Sequence, residues 1–386
     1  MTTTTISIVK PAGGGDYTTL QTWYAGRVGI LGGGNPNLIT LDRIEVAVVY
    51  GGGDALNGLT LTLNTCFTDA THYFEIRAAA GHQHNGTWDI SKAYGTTPSG
   101  TSILCLSQNL HITGMQISSR DITVSDSEFL SLATGVIVDR CILKSINNTG
   151  VASAAFESSR TSASSSIHSI VQNSILIALG VNALGIWNRS SSTTIDAFNN
   201  TIITSATNIF GAIGSYTGTG QIVNSQNNYL QAPTGCCYKP TSGTINKGSK
   251  DATSTTEATD PNLRNVPYTT ATFLNVTPGS ENLRPVISSS NRLLDHGANL
   301  TSSGITIDIV GTARPQFGTF DIGAFENDIP ICWNYTAHYK NSNKLFKASG
   351  CGSFPKNLRV PSNVDVSTGR MVDDGIFINP DEYRVI

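Results

Sequence analysis

Charge is the scarcest ingredient of this 386-residue chain. Asp, Glu, Lys and Arg make up 13% of it, against roughly 25% in ordinary globular proteins. The formal net charge is -3, and no basic patch is present to neutralise phosphates, which argues against a nucleic-acid partner. No run of 18 apolar residues occurs, so no membrane-spanning helix is expected. The first ten residues, Met1 to Lys10, lack the charged start and apolar centre of a secretory signal.

Catalytic and metal signatures are equally thin. The glycines at 13–15 are not followed by Gly-Lys-Ser/Thr, so they are no phosphate loop. His82 and His84 lie two apart with no third ligand near in sequence, which reads as a solvated loop. Seven cysteines form no dense framework, and Cys236-Cys237 lack the spacing of a zinc site. Cys105 and Cys141 sit in apolar runs and read as buried thiols. Cys332 and Cys351 could close a loop. No cofactor and no metal are expected.

In place of charge there is Ser, Thr, Asn and Gly, and between Leu110 and Leu230 a pattern that returns. It reads Ile112-Thr-Gly-Met-Gln-Ile117, Val124-Ser-Asp-Ser-Glu-Phe129, Val138-Asp-Arg-Cys-Ile142, Val171-Gln-Asn-Ser-Ile175, Phe198-Asn-Asn-Thr-Ile202 and Ser225-Gln-Asn-Asn-Tyr229. Taking Gly114, Arg140, Asn173, Asn200 and Asn227 as equivalent gives steps of 26, 33, 27 and 27 residues. Such a period means a stacked repeat. Each copy is a short apolar run bounded by Asn, Ser, Thr and Gly, with no 3.6-residue periodicity long enough for a helix pair. Three strands and three turns fill about 25 residues, one coil of a parallel β-helix whose coils stack at about 4.8 Å. The recurring Asn suits a left-handed corner, and its amide can bond along the stack.

The flanks are read from local signals. Asp16 is a candidate N-cap, and Leu20, Trp23 and Tyr24 form one apolar face of a short helix that stops near Gly26 and plugs the open end. Ile44–Tyr50, Leu59–Leu63 and Tyr73–Arg77 read as strands. Residues 153–166, rich in Ser and Ala, account for the long step as a bulged loop, and 251–260 reads as a polar linker.

The stretch Asp308-x-x-Gly311-x-x-Arg314-Pro315-x-x-Gly318-x-x-Asp321-Ile-Gly323-Ala-Phe-Glu326 is a chain of glycine turns. Its charged residues are spaced to pair across coils, with Arg forking onto carboxylates. With the preceding Leu294-Asp-x-Gly297 segment, it closely resembles the closing coils of right-handed parallel β-helix proteins, many of them phage-encoded or on bacterial surfaces. The opening Gly14-Gly-Asp-Tyr-Thr-Thr-Leu-Gln-Thr-Trp23 resembles the capping segment of the same group. The resemblance implies the fold; the group itself includes enzymes, adhesins and virion proteins.

The expected fold is therefore all-β, a right-handed parallel β-helix over 31–328, with an N-terminal cap over 1–30. An irregular arm over 329–386 follows, too small for its own core. The arm's aromatic residues are Trp333, Tyr335, Tyr339, Phe346, Phe354, Phe377 and Tyr383, which suit anchoring to a partner. A low-charge solenoid without an export signal fits the exterior of a virion released by lysis. The expected function is a structural virion subunit, a capsid decoration or spike protein bound to other virion proteins through 329–386. A homo-oligomer is compatible with this.

The first alternative is a phage tailspike that degrades polysaccharide. Glycoside hydrolysis needs two carboxylates about 5–9.5 Å apart, and Asp126 and Glu128, with Asp139 one coil on, are the candidates. A lyase needs instead a base beside a neutralising cation. The second alternative is a cell-surface adhesin that binds host surface glycans.

Overall fold

The fold grows from the alternation in the repeats. A computed structural model describes residues 2–328 except 33–35, 64–65, 98–101, 106–108, 122–128, 132–134, 148–152, 159–166, 181, 190–192, 205–210, 216–219, 233–235, 242, 289 and 317, together with the backbone of four strands between 332 and 378. The chain is a parallel β-helix of three sheets, with nine, seven and seven strands. One coil runs Ile167–Gln172, Ile175–Gly180, Ala183–Asn188; the next strand, Thr193–Phe198, then stacks on Ile167–Gln172. Inward positions stack like on like. Leu110, Val136, Ser169, Ile195 and Val223 form one column, and Ile117, Leu143, Leu176, Ile202 and Leu230 another.

The corner between the first and second sheets divides the role expected of a single asparagine between two neighbouring positions. Gly114, Arg140, Asn173, Asn199 and Asn227 are the left-handed residues, with φ of 71, 54, 49, 54 and 58°. The structural equivalent is thus Asn199 rather than Asn200, and the steps become 26, 33, 26 and 28 residues. The next position turns inward and forms a buried ladder. Cys141 N donates to Ser174 Oγ (3.0 Å), Ser174 N to Asn200 Oδ1 (3.0 Å), Asn200 N to Asn228 Oδ1 (2.8 Å) and Asn228 N to Asp251 Oδ1 (2.8 Å). Backbone donors at a corner have no strand to pair with, and buried ones must be satisfied. The ladder supplies an acceptor for each.

At the N-terminal end, helix α1 (Leu20–Ile30) covers the stack. Its cap is Thr19, which forms a capping box with Thr22, and it runs through Gly26 to Ile30. Asp16, expected as the cap, instead accepts from Ile8 N at 2.7 Å. Gly26 lies inside the helix rather than at its end, against the Tyr17 ring, where a Cβ would come within 2.7 Å. Trp23 packs edge-on to Phe74 at 5.9 Å. Arg27 reaches inward and holds the fully buried Glu45 through two bonds, 2.7 and 3.1 Å.

The stack is longer at its start and shorter at its end than the sequence suggests. It begins with Thr3–Val9 and its last parallel strand is Ala252–Thr253. Ser153–Ser158, read as part of a loop, is a strand of the third sheet. The 251–260 stretch is likewise no simple linker, since Asp251 is buried as the last rung of the ladder.

Residues 255–327 leave the stack and fold back as a strap over the outer face of the second sheet. Ile142, Ile175, Ile177, Ile203 and Tyr229 point out from that sheet into a second core with Leu263, Phe273, Leu283, Leu293, Ile322 and Phe325. The corner asparagines hold the strap down. Asn227 exchanges two bonds with Ala298 (2.7 and 2.8 Å), and Asn199 Nδ2 donates to Asp321 O at 3.2 Å. The closing motif therefore forms a strap rather than further coils.

The arm also differs from expectation. Cys332–Tyr339, Leu345–Cys351, Val364–Asp373 and Ile376–Ile378 form a four-stranded antiparallel sheet. Among the described residues these strands pair with one another and with no strand of the solenoid. Its alternation is interrupted often enough that the sequence reads as irregular, and backbone pairing supplies the order.

Candidate functional site

Among the described residues, one of the three outer faces is covered by another part of the fold. The strap covers the second sheet. On the third sheet, Ala154, Leu184 and Trp187 form a buried cluster apart from the main core. Register fixes what the outer face of the nine-stranded first sheet displays.

One row reads Glu75, His111, Ile137, Ile170, Asp196, Asn224, Asn246. The row beside it reads Arg77, Thr113, Asp139, Gln172, Phe198, Gln226. Successive members are one strand apart, about 4.8 Å.

A hydrogen-bonded chain crosses four coils of this face. His168 Nε2 meets Asp196 Oδ2 at 2.8 Å, Asn224 Nδ2 donates to Asp196 Oδ1 at 2.7 Å, and Asn246 Nδ2 donates to Asn224 Oδ1 at 2.7 Å. His168 is 55% exposed while Asp196 is 17% exposed. The carboxylate is thus fixed from both sides while the imidazole faces solvent. Toward the N-terminal end, Tyr73 stacks on His111 at 3.8 Å, and burial pushes His111 down to about 4. It is neutral at physiological pH. Sequence reasoning missed both groups, because their partners lie 28 and 38 residues away and only the coil register brings them together.

Asp139 lies on the same face but is fully engaged. Arg140 Nε donates to it at 2.9 Å, Asn173 Nδ2 at 3.1 Å and Gln172 Nε2 at 3.3 Å. Two carboxylates of the face, Glu75 and Asp196, each lie two coils and one row away from it. That is a backbone separation of about 12 Å. Asp126 and Glu128, the other catalytic candidates, lie outside the described residues.

The closing motif is brought together completely. Asp308 Oδ1 accepts from Val310 N and Thr312 N, and its Oδ2 accepts from Glu326 N. Arg314 donates to the carbonyls of Asp321 (3.1 Å) and Gly323 (2.9 Å) and lies 3.3 Å from Glu326 Oε2. Asp321 accepts from Asp295 N and Asn327 N at 2.6 Å each. Gly311, Gly318 and Gly323 take φ of 94, 103 and 97°, as tight turns require. Desolvation pushes Asp321 up to about 8 and raises Glu326. This is a structural lock, and its charges are sealed from solvent.

Other expectations resolve locally. His84 is buried rather than solvated. Its Nε2 lies 2.9 Å from Arg140 O, its Nδ1 accepts from Gly86 N, and burial pushes it down to about 4. Cys105 and Cys141 are buried thiols, as expected. No group of three or more His, Cys, Asp or Glu able to hold a metal occurs among the described residues. Also among them, no helix is long and apolar enough to cross a membrane. Of the arm's aromatics, Trp333, Tyr335, Tyr339, Phe346 and Phe377 fall on the antiparallel strands, and Phe354 and Tyr383 lie outside the described residues. Cys332 and Cys351 are register partners.

Among the described residues, the fold and surfaces define a parallel β-helix protein with a strapped flank, a first-sheet face bearing a polar chain and a separate terminal sheet. No family model matches the chain, and no curated protein matches it. Among solved structures, a pectate lyase, Pel9A, aligns over 85% of this chain and 97% of that one, at 13% identity and a TM-score of 0.30. At that score the likeness carries no weight, and the fold rests on the strand pairing itself.

Proposed function

We propose that this chain is a structural subunit of a virion exterior, a capsid decoration or spike protein attached through residues 329–386. The observation that carries the reading is the terminal sheet, built after the strap and, among the described residues, sharing no strand with the solenoid. Among the described residues the terminal strands pair only with one another, and a sheet standing apart in this way suits attachment to a larger assembly. The low charge and the interlocked ladder, cap and strap suit a part whose work is mechanical.

The test is truncation after Asp328. The shortened chain is expected to keep the unfolding midpoint of the solenoid and to vanish from purified particles, as counted by quantitative mass spectrometry. Undiminished copy number in particles would contradict the reading.

A second reading, glycan recognition or cleavage as in a tailspike or adhesin, is favoured by the exposed His168–Asp196–Asn224–Asn246 chain. Capsular polysaccharide bound or shortened by the isolated chain, and no longer so in Asp196→Ala, would favour it over attachment alone.

A further inference from the structure

We infer that Cys332 and Cys351 form a disulfide that closes the base of the terminal hairpin. Cys332 opens the strand Cys332–Tyr339 and Cys351 ends the strand Leu345–Cys351; the two are directly opposed in the antiparallel register. Opposed residues in such a pair have Cα atoms about 4.5–5.5 Å apart, inside the range of about 4.4–6.8 Å that a disulfide spans. The placement needs no movement of the backbone.

The other described cysteines are poor competitors. Cys66, Cys105, Cys141 and Cys237 are buried in the solenoid and Cys236 is half-buried there, all as thiols. Burial raises Cys66 and Cys237 and pushes Cys141 up to about 12. Thiols held protonated do not attack a disulfide.

The arm also has a physical need for the bond. The segment 329–386 has 58 residues, and units of this size rely on staples because a chain so short cannot build a large core. Closing the loop between the two cysteines removes open conformations from the unfolded arm. If the arm is the attachment segment, the closed hairpin is also pre-ordered for docking, which lowers the cost of binding.

The chemistry balances as thiol–disulfide exchange. The Cys332 thiolate attacks a small-molecule disulfide such as oxidised glutathione, releasing one reduced thiol. The Cys351 thiolate then displaces the second, leaving the protein disulfide and two reduced small-molecule thiols.

The full-length chain, equilibrated with oxidised glutathione, is denatured without reductant, alkylated with iodoacetamide and digested. Five alkylated cysteines and one cross-linked peptide pair joining Cys332 to Cys351 are expected. Seven alkylated cysteines, or a cross-link from either residue to any other cysteine, would overturn the inference. In a second readout, protease cleavage within 329–386 should rise about tenfold or more on reduction or in the Cys332→Ser, Cys351→Ser double variant. Cleavage within 2–328 should stay unchanged. Neither readout involves a particle, so the disulfide and the attachment reading can fail separately.

Discussion

Asn228→Leu is expected to destabilise the solenoid by about 3–5 kcal/mol. Asn228 Oδ1 accepts from Asn200 N (2.8 Å) and Asn200 Nδ2 (3.0 Å), while its Nδ2 donates to Ala197 O (2.7 Å) and Ser225 Oγ (2.9 Å). All of these atoms are sealed from water. Leucine fills the volume but leaves Asn200 N without its acceptor, at about 1–3 kcal/mol for the orphaned N–H and about 1 kcal/mol for each of the other bonds lost. The corner residue two coils away provides the control. Asn173 needs its left-handed φ of 49°, and its side chain donates to Asp139 while, among the described residues, its Oδ1 is without a hydrogen-bond partner. Asn173→Gly keeps the corner accessible and should cost no more than about 1 kcal/mol. Urea midpoints of the two variants test the division of labour, and an Asn228→Leu protein as stable as wild type would show that the ladder is incidental.

The second large effect belongs to the strap. Arg314 is wholly buried, and Asp308, Asp321 and Glu326 surround it. Arg314→Met removes the lone guanidinium among them and leaves buried carboxylates uncompensated, at about 3–5 kcal/mol. The strap should loosen first, because residues 291–327 depend on this network while the coils do not.

The same cluster sets a pH dependence. Burial raises Asp321 to about 8 in the folded chain, far above the unfolded value of about 3.9. Between those values the folded state holds more protons than the unfolded one. The contribution is therefore full below the unfolded value and is lost as pH rises through about 8. Glu326, Asp295 and Asp251 are shifted in the same direction. His84 and His111, held near 4, act in the opposite direction, but only at pH values below the ordinary histidine range. From pH 6.5 to 9 the thermal midpoint of the wild-type chain should fall. Asp321→Asn should flatten that slope, and Arg314→Met should suffer more at pH 9 than at pH 6.5. A midpoint that rises over this interval would refute the assignment.

Much of the solenoid was legible because its repeats alternate apolar and polar residues and are punctuated by Asn and Gly. Coil length and sheet class follow from that pattern alone. Its registration was legible only to within one residue. Asn199 and Asn200 are chemically identical in sequence, and only the positive φ of Asn199 and the inward bond of Asn200 tell them apart. The strap was misread as coils because glycine turns and paired charges suit either arrangement. Which one forms is decided by the outward isoleucines of the second sheet, Ile142, Ile175 and Ile177, which need cover. The first-sheet face could not be read at all from local sequence, since His168, Asp196 and Asn224 meet only after three coils have stacked. Asp139, a candidate catalytic carboxylate from the sequence, is held by its neighbours Arg140 and Asn173 at the corner, a role that only the coil register reveals.

Amide hydrogen exchange of the full-length chain, free and bound to purified particles, tests the central claim most directly. Attachment through the arm predicts protection gained on binding in the strands between 332 and 378, with the first-sheet strands Gly135–Asp139, Ile167–Gln172, Thr193–Phe198 and Ile222–Gln226 unchanged. Protection gained on those four strands, with 332–378 unaffected, would contradict it and make the first-sheet face the working surface.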